Sequence, residues 1–249
     1  MERPRPLGTE NAISILYDNR RAEPGVIPAW GFSCLISFSE GDILFDTGGD
    51  PSILGHNMEA MHVHSKDIGH IILSHEHGDH TGGLSGLLGA SPAPTLYFPQ
   101  SFPRRFREAV RYTGANGVAI NGFTEIRPAV YTTGELGRGL KEQSLILRTV
   151  EGLIIITGCA HPGIVEITEA VVRRLEERVY LLMGGFHLMG KSPAALTDIA
   201  HGLDALNVER ICPCHCSGDT TIDFFEHQYG RNFIPGGVGA RIPIPEPLK

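Results

Sequence analysis

The sequence predicts a single α/β domain, and three observations carry this prediction. The chain has 249 residues, a length at which one hydrophobic core is common. Short apolar runs typical of strands alternate with segments whose apolar residues recur at three- and four-residue steps, as on one helix face. The 31 glycines and 17 prolines are scattered between these runs, which indicates many tight loops. We therefore expect one domain over residues 1–249.

The first half of the chain predicts a meander of strands followed by a strand that ends in polar residues. Residues 11–17 and 32–38 are apolar runs of strand length, and residues 42–45 follow a turn at Gly41. Residues 71–73 predict a short buried strand that leads directly into a histidine-rich run. A strand that ends in this way places several polar side chains around one point.

The second half repeats this plan, with amphipathic helices between the strands. Three successive strands are each followed by a histidine, namely His161, His187 and His215. Residues 99–127 are rich in proline, arginine, glycine and aromatic residues, and we expect them to form an excursion that covers the site. The predicted strands are 145–150, 153–157, 179–183 and 210–212, and the apolar helix faces lie within 167–175 and 196–206.

Composition and charge disfavour several functional classes. The net charge of -7 argues against a nucleic-acid partner, because phosphate backbones are bound by clusters of lysine and arginine. The longest apolar stretch, around residues 153–156, is too short to span a bilayer, and residues 1–10 lack the apolar segment of a signal peptide. Five cysteines are an odd number, which disfavours a disulfide framework, and those in 212–216 lack the second pair of a structural zinc site. We expect a cytoplasmic protein with a small-molecule substrate and no membrane contact; the sequence leaves its oligomeric state open.

The histidines point to metal chemistry. Residues 75–80 read His-Glu-His-Gly-Asp-His, which puts four candidate metal ligands into six residues. On a tight loop the side chains of His75 and His77 converge on one ion, and Asp79 and His80 can bind a second one. The H-E-x-x-H helix of metalloproteases does not fit, because Asp79 stands where its second histidine would be. Mixed histidine and aspartate ligands suit Zn²⁺, and also Mn²⁺ and Fe²⁺.

These residues carry a resemblance to a known family. The run from His75 to Leu84 resembles the H-x-H-x-D-H signature of the metallo-β-lactamase superfamily, and residues 44–48 resemble its upstream motif, whose aspartate (Asp46 here) orients the metal loop. Further motifs are similar to a narrower group that is labelled dihydropterin-6-yl-methyl-ribofuranosylaminobenzene 5′-phosphate synthase. They lie at residues 17–19, 158–163, 184–188 and 214–218, so the resemblance covers most of the chain.

The resemblance implies a four-layer αββα sandwich with a dinuclear metal site along one sheet edge. In the wider superfamily an aspartate after a strand of the second half bridges the two metals. The matching strand here ends in Gly-Gly-Phe-His at 184–187, which leaves a solvent hydroxide as the candidate bridge. The related diiron oxidoreductases have glutamate in place of His77, which disfavours redox chemistry. The implied ligands are His75, His77 and His161 for one metal and Asp79, His80 and His215 for the other.

Residues around these motifs have competing interpretations. His187 is a metal ligand, an acid that contacts the substrate, or a group that supports a ligand. Asp46 is either a buried carboxylate that accepts a hydrogen bond from a ligand histidine or a turn residue, and we favour the first. Asp18 and Asn19 either line the site or only end a strand. Three cysteines that flank the ligands are expected to be small buried residues rather than ligands: Cys159, Cys214 and Cys216.

The predicted function is a hydrolase or transferase that acts on a small phosphorylated substrate of a pterin- or nucleotide-like kind. Two divalent ions lower the pKa of a bridging water and polarise the substrate oxygen, so a metal-activated hydroxide attacks phosphorus or a carbonyl carbon. Asp79 and His187 are the catalytic candidates. Three arginines in the expected excursion are candidates for binding a phosphate, although such a charge run is often only a solvated face: Arg104, Arg105 and Arg107.

Two alternatives to this function stay open. A lactonase or thioesterase would line its pocket with aromatic residues such as Trp30 and Phe123 rather than with arginine. A sensor would bind metal without turnover. Assays on phosphate esters and lactones, with metal removed and restored, separate the three.

Overall fold

The computed structural model describes residues 11–39, 41–88 and 93–248. Among these residues the strands are β1 (Ala12–Tyr17), β2 (Ser33–Ser37), β3 (Asp42–Phe45), β4 (Ile68–Ile72), β5 (Thr95–Pro99), β6 (Asn116–Ile120), β7 (Thr124–Arg127), β8 (Val130–Thr132), β9 (Leu145–Thr149), β10 (Gly152–Thr157), β11 (Val179–Gly185), β12 (Val208–Cys214) and β13 (Arg241–Pro243). The α-helices are α1 (Pro51–Ala60), α2 (Gly78–Thr81), α3 (Arg104–Arg111), α4 (Ile164–Leu175), α5 (Pro193–Ala205) and α6 (Asp219–Tyr229). None of these helices combines the length and apolar character needed to cross a membrane.

The strands form two mixed sheets. The first has the order β13-β1-β2-β3-β4-β5-β6, in which β3 to β6 are parallel neighbours and the other pairs are antiparallel. The second has the order β12-β11-β10-β9-β8-β7, in which β10, β11 and β12 are parallel. The predicted meander is confirmed, since β1, β2 and β3 are sequential antiparallel neighbours. Parallel neighbours present their carboxyl ends at one edge of a sheet, where ligands of α/β proteins commonly bind.

The two sheets pack face to face and are covered by helices on their outer faces, which confirms the predicted four-layer sandwich. The sequence of strand β10 is almost wholly apolar because both of its faces are buried. Ile154 and Ile156 pack in the core between the sheets. Leu153 and Ile155 belong to the outer core that α4, α5 and α6 cover. On the other side, α1 and α3 cover the first sheet.

The elements with strong periodicity lie close to their predicted positions. The strand predicted over 71–73 begins earlier, as β4, and α4 begins at Ile164. Helix α5 begins with a side-chain cap, because the Ser192 hydroxyl accepts a hydrogen bond from the Ala195 N–H at 3.3 Å. The apolar runs of the strands and the helical repeat of the apolar residues therefore predicted these elements close to their observed positions.

Residues 99–127 contain more regular structure than the expected excursion. They include α3, β6 and β7, and the two strands are the outermost members of the first and the second sheet. Phe102, Phe106 and Val110 pack onto the first sheet, in the core that α1 and α3 cover. The segment thus leads from one sheet to the other, and its position over the site stays a prediction.

Candidate metal centre

Two groups of candidate ligands lie side by side at the strand ends. The first group is His75, His77 and His161, and the second group is Asp79, His80 and His215. Within each group the ligand atoms lie within 4.8 Å of one another. The rings of His75 and His80, one from each group, have centroids only 4.2 Å apart. The structure brings together all six residues that the resemblance implied.

The run that follows β4 is not entirely the tight loop that the sequence predicted. Residues Gly78–Thr81 form α2, a single helical turn that begins after His77. The His77 carbonyl accepts hydrogen bonds from the His80 and Thr81 N–H groups, both at 3.1 Å. This turn reverses the chain, so that His80 is fully buried while His77 is exposed.

The parallel strands of the second sheet deliver three further histidines. Strands β10, β11 and β12 lead to His161, His187 and His215, as the sequence predicted. His187 and His215 have positive φ angles of 54° and 48°, which are uncommon for residues other than glycine. The chain therefore turns sharply where each strand ends. The ring centroids of His187 and His161 lie 4.5 Å apart, which places His187 beside the first group.

Asp46 follows β3 and is completely buried. Its carboxylate accepts a hydrogen bond from His80 Nδ1 at 2.7 Å. It also accepts from the Ser74 backbone N–H at 2.6 Å and from the Ser74 hydroxyl at 2.7 Å. The Ser74 Oγ lies 2.9 Å from His75 Nδ1. One carboxylate therefore orients His80 directly and His75 through Ser74.

Asp18 and Asn19 contact His215 from the end of β1. Asp18 accepts a hydrogen bond from the His215 backbone N–H at 2.9 Å, and burial raises the pKa of its carboxyl to about 6. The Asn19 Nδ2 donates to the His215 carbonyl at 3.0 Å, and its Oδ1 lies 3.0 Å from His215 Nδ1. The half-exposed Trp30 ring lies edge-on to the His215 ring, with centroids 4.8 Å apart.

Sequence reasoning missed Glu142, which holds the loop that carries His161. The carboxylate is buried and accepts hydrogen bonds from four consecutive backbone N–H groups, those of residues 158–161, at 2.8–3.2 Å. Burial raises the pKa of Glu142 in spite of these bonds. The neighbouring Gln143 donates to the Leu73 carbonyl at 2.8 Å, which ties the same segment to the end of β4. No local motif marks either residue.

The hydrogen-bond network fixes which ring nitrogen each histidine offers. Asp46 can only accept, so His80 Nδ1 must carry the proton. The hydrogen of Ser74 Oγ goes to Asp46, so His75 Nδ1–H donates to that oxygen. Asn19 Oδ1 accepts from the Gly31 N–H and therefore also from His215 Nδ1–H. In all three histidines the free lone pair is on Nε2.

The inward nitrogens are suited to a divalent metal ion. The Nε2 atoms of His75, His161 and His215 are buried, and within the described structure they have no hydrogen-bond partner of good geometry, although the Asp79 Oδ2 lies 3.3 Å from that of His215. Buried polar atoms are rarely left without a partner, because desolvation costs free energy. Metal-binding histidines commonly donate their other ring N–H to a carboxylate or carbonyl group. The residues present therefore fit metal ions that are coordinated from both groups.

Comparison with known proteins agrees with this geometry. The sequence model of the metallo-beta-lactamase superfamily matches residues 31–175. The chain belongs to this superfamily. The membership confirms the resemblance carried by the motifs, and proteins of this superfamily bind divalent metals and are generally hydrolases.

Relatives within the superfamily cover most of the chain. The chain is 28% identical to the 7,8-dihydropterin-6-methyl-4-(beta-D-ribofuranosyl)-aminobenzene-5′-phosphate synthase of Methanocaldococcus jannaschii, over 83% of this chain and 88% of that protein. A crystal structure of a metal-dependent hydrolase of the β-lactamase superfamily has a TM-score of 0.81 and 26% identity, and the match covers 95% of this chain and 100% of that one. A metallo-β-lactamase fold protein from Bacillus subtilis, with a TM-score of 0.68 and 12% identity over 92% and 97% of the two chains, shares the fold.

The electrostatics of this superfamily member favour the protonation states that metal ligands require at His75, His161 and Asp79, whereas at His80 a bound metal ion has to displace the proton that Asp46 favours. Burial lowers the pKa of His75, and burial together with the charge of His187 lowers that of His161 to about 4. Burial alone would raise the pKa of Asp79, but the contact with His215 and the charge of His80 outweigh it and leave the pKa below its ordinary value. Burial would likewise lower the pKa of His80, and the Asp46 carboxylate raises it instead.

A cavity of about 440 Å³ opens beside the first group. His161, Phe186 and His187 line one side, and residues of α4 and α5 line the other. Lys191 also lines it and supplies an ammonium group close to the histidines. A second cavity of about 600 Å³ lies against α1, and its described lining contains no residue of either ligand group.

The predicted phosphate-binding arginines lie elsewhere. They belong to α3 on the outside of the first sheet, and Arg104 pairs with Glu108 at 2.7 Å. None of the three is among the described residues that line the cavity beside His161. Phe123 stacks on Tyr131 in the outer core of the second sheet. The residues expected to contact substrate are Arg104, Arg105 and Arg107, and that role stays a prediction.

Proposed function

We propose that this chain is a two-metal hydrolase or transferase whose substrate is a small phosphorylated molecule of a pterin- or nucleotide-like kind. The observation that carries the proposal is the pair of ligand groups, whose nearest rings are 4.2 Å apart and whose free ring nitrogens point inward. Membership of the metallo-beta-lactamase superfamily supports metal-dependent chemistry.

Each group would hold one ion. His75, His77 and His161 would bind the first, and Asp79, His80 and His215 would bind the second. Zn²⁺ suits these ligands, as do Mn²⁺ and Fe²⁺. When bound, two divalent ions polarise a substrate oxygen and lower the pKa of water between them.

The chain's own residues perform the remaining tasks. Asp46 and Asn19 fix the ring orientations of His80 and His215, so the centre is held rigidly before the substrate arrives. His187 lines the cavity next to His161, and we assign it the donation of a proton to the leaving oxygen. Lys191 in the same cavity binds the substrate phosphate through its ammonium group.

Two observations support the substrate class. The relative from Methanocaldococcus jannaschii is named for a dihydropterin product that carries a 5′-phosphate. The cavity beside the first group has a volume of about 440 Å³, which lies in the range of small-molecule sites. The cavity is lined by Lys191 and His187 and also by the carboxylates of Glu166 and Asp198, so the phosphate would be bound at the Lys191 side.

The test is a steady-state screen of phosphomonoesters, phosphodiesters, lactones and thioesters, with the metal removed and then restored. We expect turnover of phosphate esters that is lost with the metal and returns with it. Turnover of lactones or thioesters alone would support the lactonase or thioesterase alternative. Full metal binding without any turnover would support a sensor.

Two variants locate the phosphate site in the same screen. Lys191→Ala should raise KM for phosphate esters on the order of 10-fold, because a charge-assisted hydrogen bond is lost. The matched control is Arg104→Ala, which removes a cation from exposed α3. An increase in KM for the control alone would move the phosphate to the arginines of α3.

A further inference from the structure

Cys159 lies at the junction of the two ligand groups. Its Sγ belongs to three clusters of candidate ligand atoms that each fit within 4.8 Å: one with His75 and His80, one with His161 and His187, and one with His215 and Cys216. The Sγ is 3.2 Å from His80 Nε2, the nitrogen that carries the free lone pair. Among the clusters of the described residues, each of the six residues of the two groups belongs to one or two clusters, whereas Cys159 belongs to three.

The surroundings of this thiol differ from those of a packing cysteine. Cys34, Cys212 and Cys214 lie in the apolar core between the sheets. Cys159 and Cys216 are as deeply buried, at 4% and 5% exposure, but neither belongs to any of the apolar clusters of the described residues. The neighbours of Cys159 Sγ are imidazole nitrogens and the Cys216 thiol, at 3.3 Å. The expectation that this cysteine is a small buried filler does not account for such neighbours.

The backbone holds Cys159 in this position. Its N–H donates to Glu142 at 2.9 Å, within the loop that Glu142 fixes. The preceding Gly158 lies so close to the first sheet that a Cβ there would be 2.1 Å from the Ser74 Oγ. The loop is thus pressed against the residues that orient His75 and His80. The backbone of the loop is therefore fixed, and it places the Cys159 Sγ between the groups, 3.2 Å from His80 Nε2.

An independent observation points to a ligand at the same place. His75 is fully buried, and its Nε2 has no hydrogen-bond partner within the described structure, although it belongs to the cluster that contains Cys159 Sγ. An imidazole nitrogen and a sulfur that lie close together without a hydrogen bond between them are donors of the kind that zinc binds. Strand β11, which ends beside them, supplies two glycines there and no carboxylate.

We propose that the Cys159 thiolate is a metal ligand shared by the two ions, in addition to the six histidine and aspartate ligands. A sulfur–metal bond forms as the thiol proton passes to solvent, so no oxidant or reductant takes part. The inference rests on the proposed two-metal centre and adds its bridging atom. A two-metal centre for hydrolysis does not itself require a thiolate, so the proposal gives the Cys159 thiol a role of its own.

The direct test is X-ray absorption spectroscopy of the zinc-loaded wild-type protein, kept reduced with a phosphine. We expect a sulfur scatterer at about 2.3 Å from zinc. A shared thiolate gives one sulfur for each zinc ion, whereas a terminal thiolate gives one sulfur for every two. A spectrum without sulfur, or with the lower ratio at full loading, would overturn the proposal.

Variants identify the cysteine responsible. Cys159→Ser should remove the sulfur scatterer and, in cobalt-substituted protein, the thiolate-to-Co²⁺ charge-transfer absorption. Cys216→Ser should retain both signals. Cys34→Ala is the matched control, since it removes a buried thiol from the apolar core. Sulfur that persists in Cys159→Ser overturns the proposal, and circular dichroism of each variant verifies that the fold is retained.

The same samples separate this inference from the proposed function. The number of zinc ions per wild-type chain tests the two-metal centre, and the sulfur signal tests Cys159. Two zinc ions without sulfur would leave the proposed function intact and remove the thiolate bridge. A single zinc ion at saturation would remove the two-metal centre, and a shared ligand with it.

Discussion

The two ligand groups differ in how they are held and in what they face. The side chains of His80 and His215 in the second group are fully buried, and that of Asp79 is 22% exposed. In the first group His77 is exposed and His161 is half-buried beside the cavity. Side chains from the first sheet orient both buried histidines of the second group. In the first group His75 is also buried and is oriented through Ser74, whereas His161 depends on the backbone contacts of Glu142.

This difference assigns separate tasks to the two halves of one centre. Ligands that are buried and oriented by hydrogen bonds lose little freedom on metal binding, so we expect the second group to bind its ion more tightly. The first group opens to the cavity, so we expect the substrate to bind on that side. We therefore expect a substitution around one group to change the binding of that group's ion alone. The exception is Asp46, which orients a histidine of each group.

The largest effect is expected at the open side of the centre. His187→Ala should reduce turnover by roughly 10²- to 10⁴-fold, because the proton donor to the leaving oxygen is lost, while the metal content stays near that of the wild type. Turnover and metal content are measured on the same preparation. His227→Ala, on the exposed side of α6, is the control. Reduced metal content would make His187 a ligand, and unchanged turnover would exclude both roles.

The residue that connects the two groups should affect both ions. Asp46→Asn should weaken binding of each on the order of 10- to 100-fold, because the amide cannot accept from both Ser74 and His80 as the carboxylate does. Competition with a chromophoric chelator measures the two affinities. If only one affinity changes, the two groups are not coupled through Asp46. Unchanged affinities would reduce Asp46 to a turn residue.

A variant on the buried side should affect one ion alone. Asn19→Ala removes the partners of His215 Nδ1 and of its carbonyl, so affinity at the second group should fall on the order of 10-fold. The first affinity should stay within error of the wild type. The same chelator competition reports both values. Equal losses at the two groups would contradict their separation.

Glu142→Gln is the counterpart of Asn19→Ala for the first group. Its effect on metal binding is expected to be the smallest of these variants. One amide oxygen replaces two carboxylate oxygens as acceptor for four N–H groups, so affinity at the first group should fall by a few-fold. The free energy of unfolding should fall by about 1–3 kcal/mol, as for other buried groups left without a partner. Denaturant titration measures this loss, with Glu169→Gln on exposed α4 as the control. A loss at the second group alone would contradict the account.

The sequence predicted the ligands well because their signal is local. The spacing of His75, His77, Asp79 and His80 is contained in six residues, and each of the three later histidines follows an apolar strand. Elements buried on both faces, such as β10, were equally clear. Strand β6 was not, because as the outermost strand of its sheet it is mostly exposed and lacks an apolar pattern.

The residues that position the ligands act over distances that no local pattern records. Asn19 and His215 are 196 residues apart in the chain, and Glu142 reaches a loop that begins 16 residues later. Cys159 looked like a packing residue because composition alone does not reveal that its neighbours are imidazoles. The single turn of α2 is too short for periodicity to indicate.

The number of metal ions that the chain binds is the most direct test of the two ligand groups. The measurement is elemental analysis of wild-type protein that has been purified without chelator, loaded with Zn²⁺ and freed of excess metal by gel filtration. We expect a ratio near two zinc ions per chain. A ratio that never exceeds one, even after loading, would contradict this expectation.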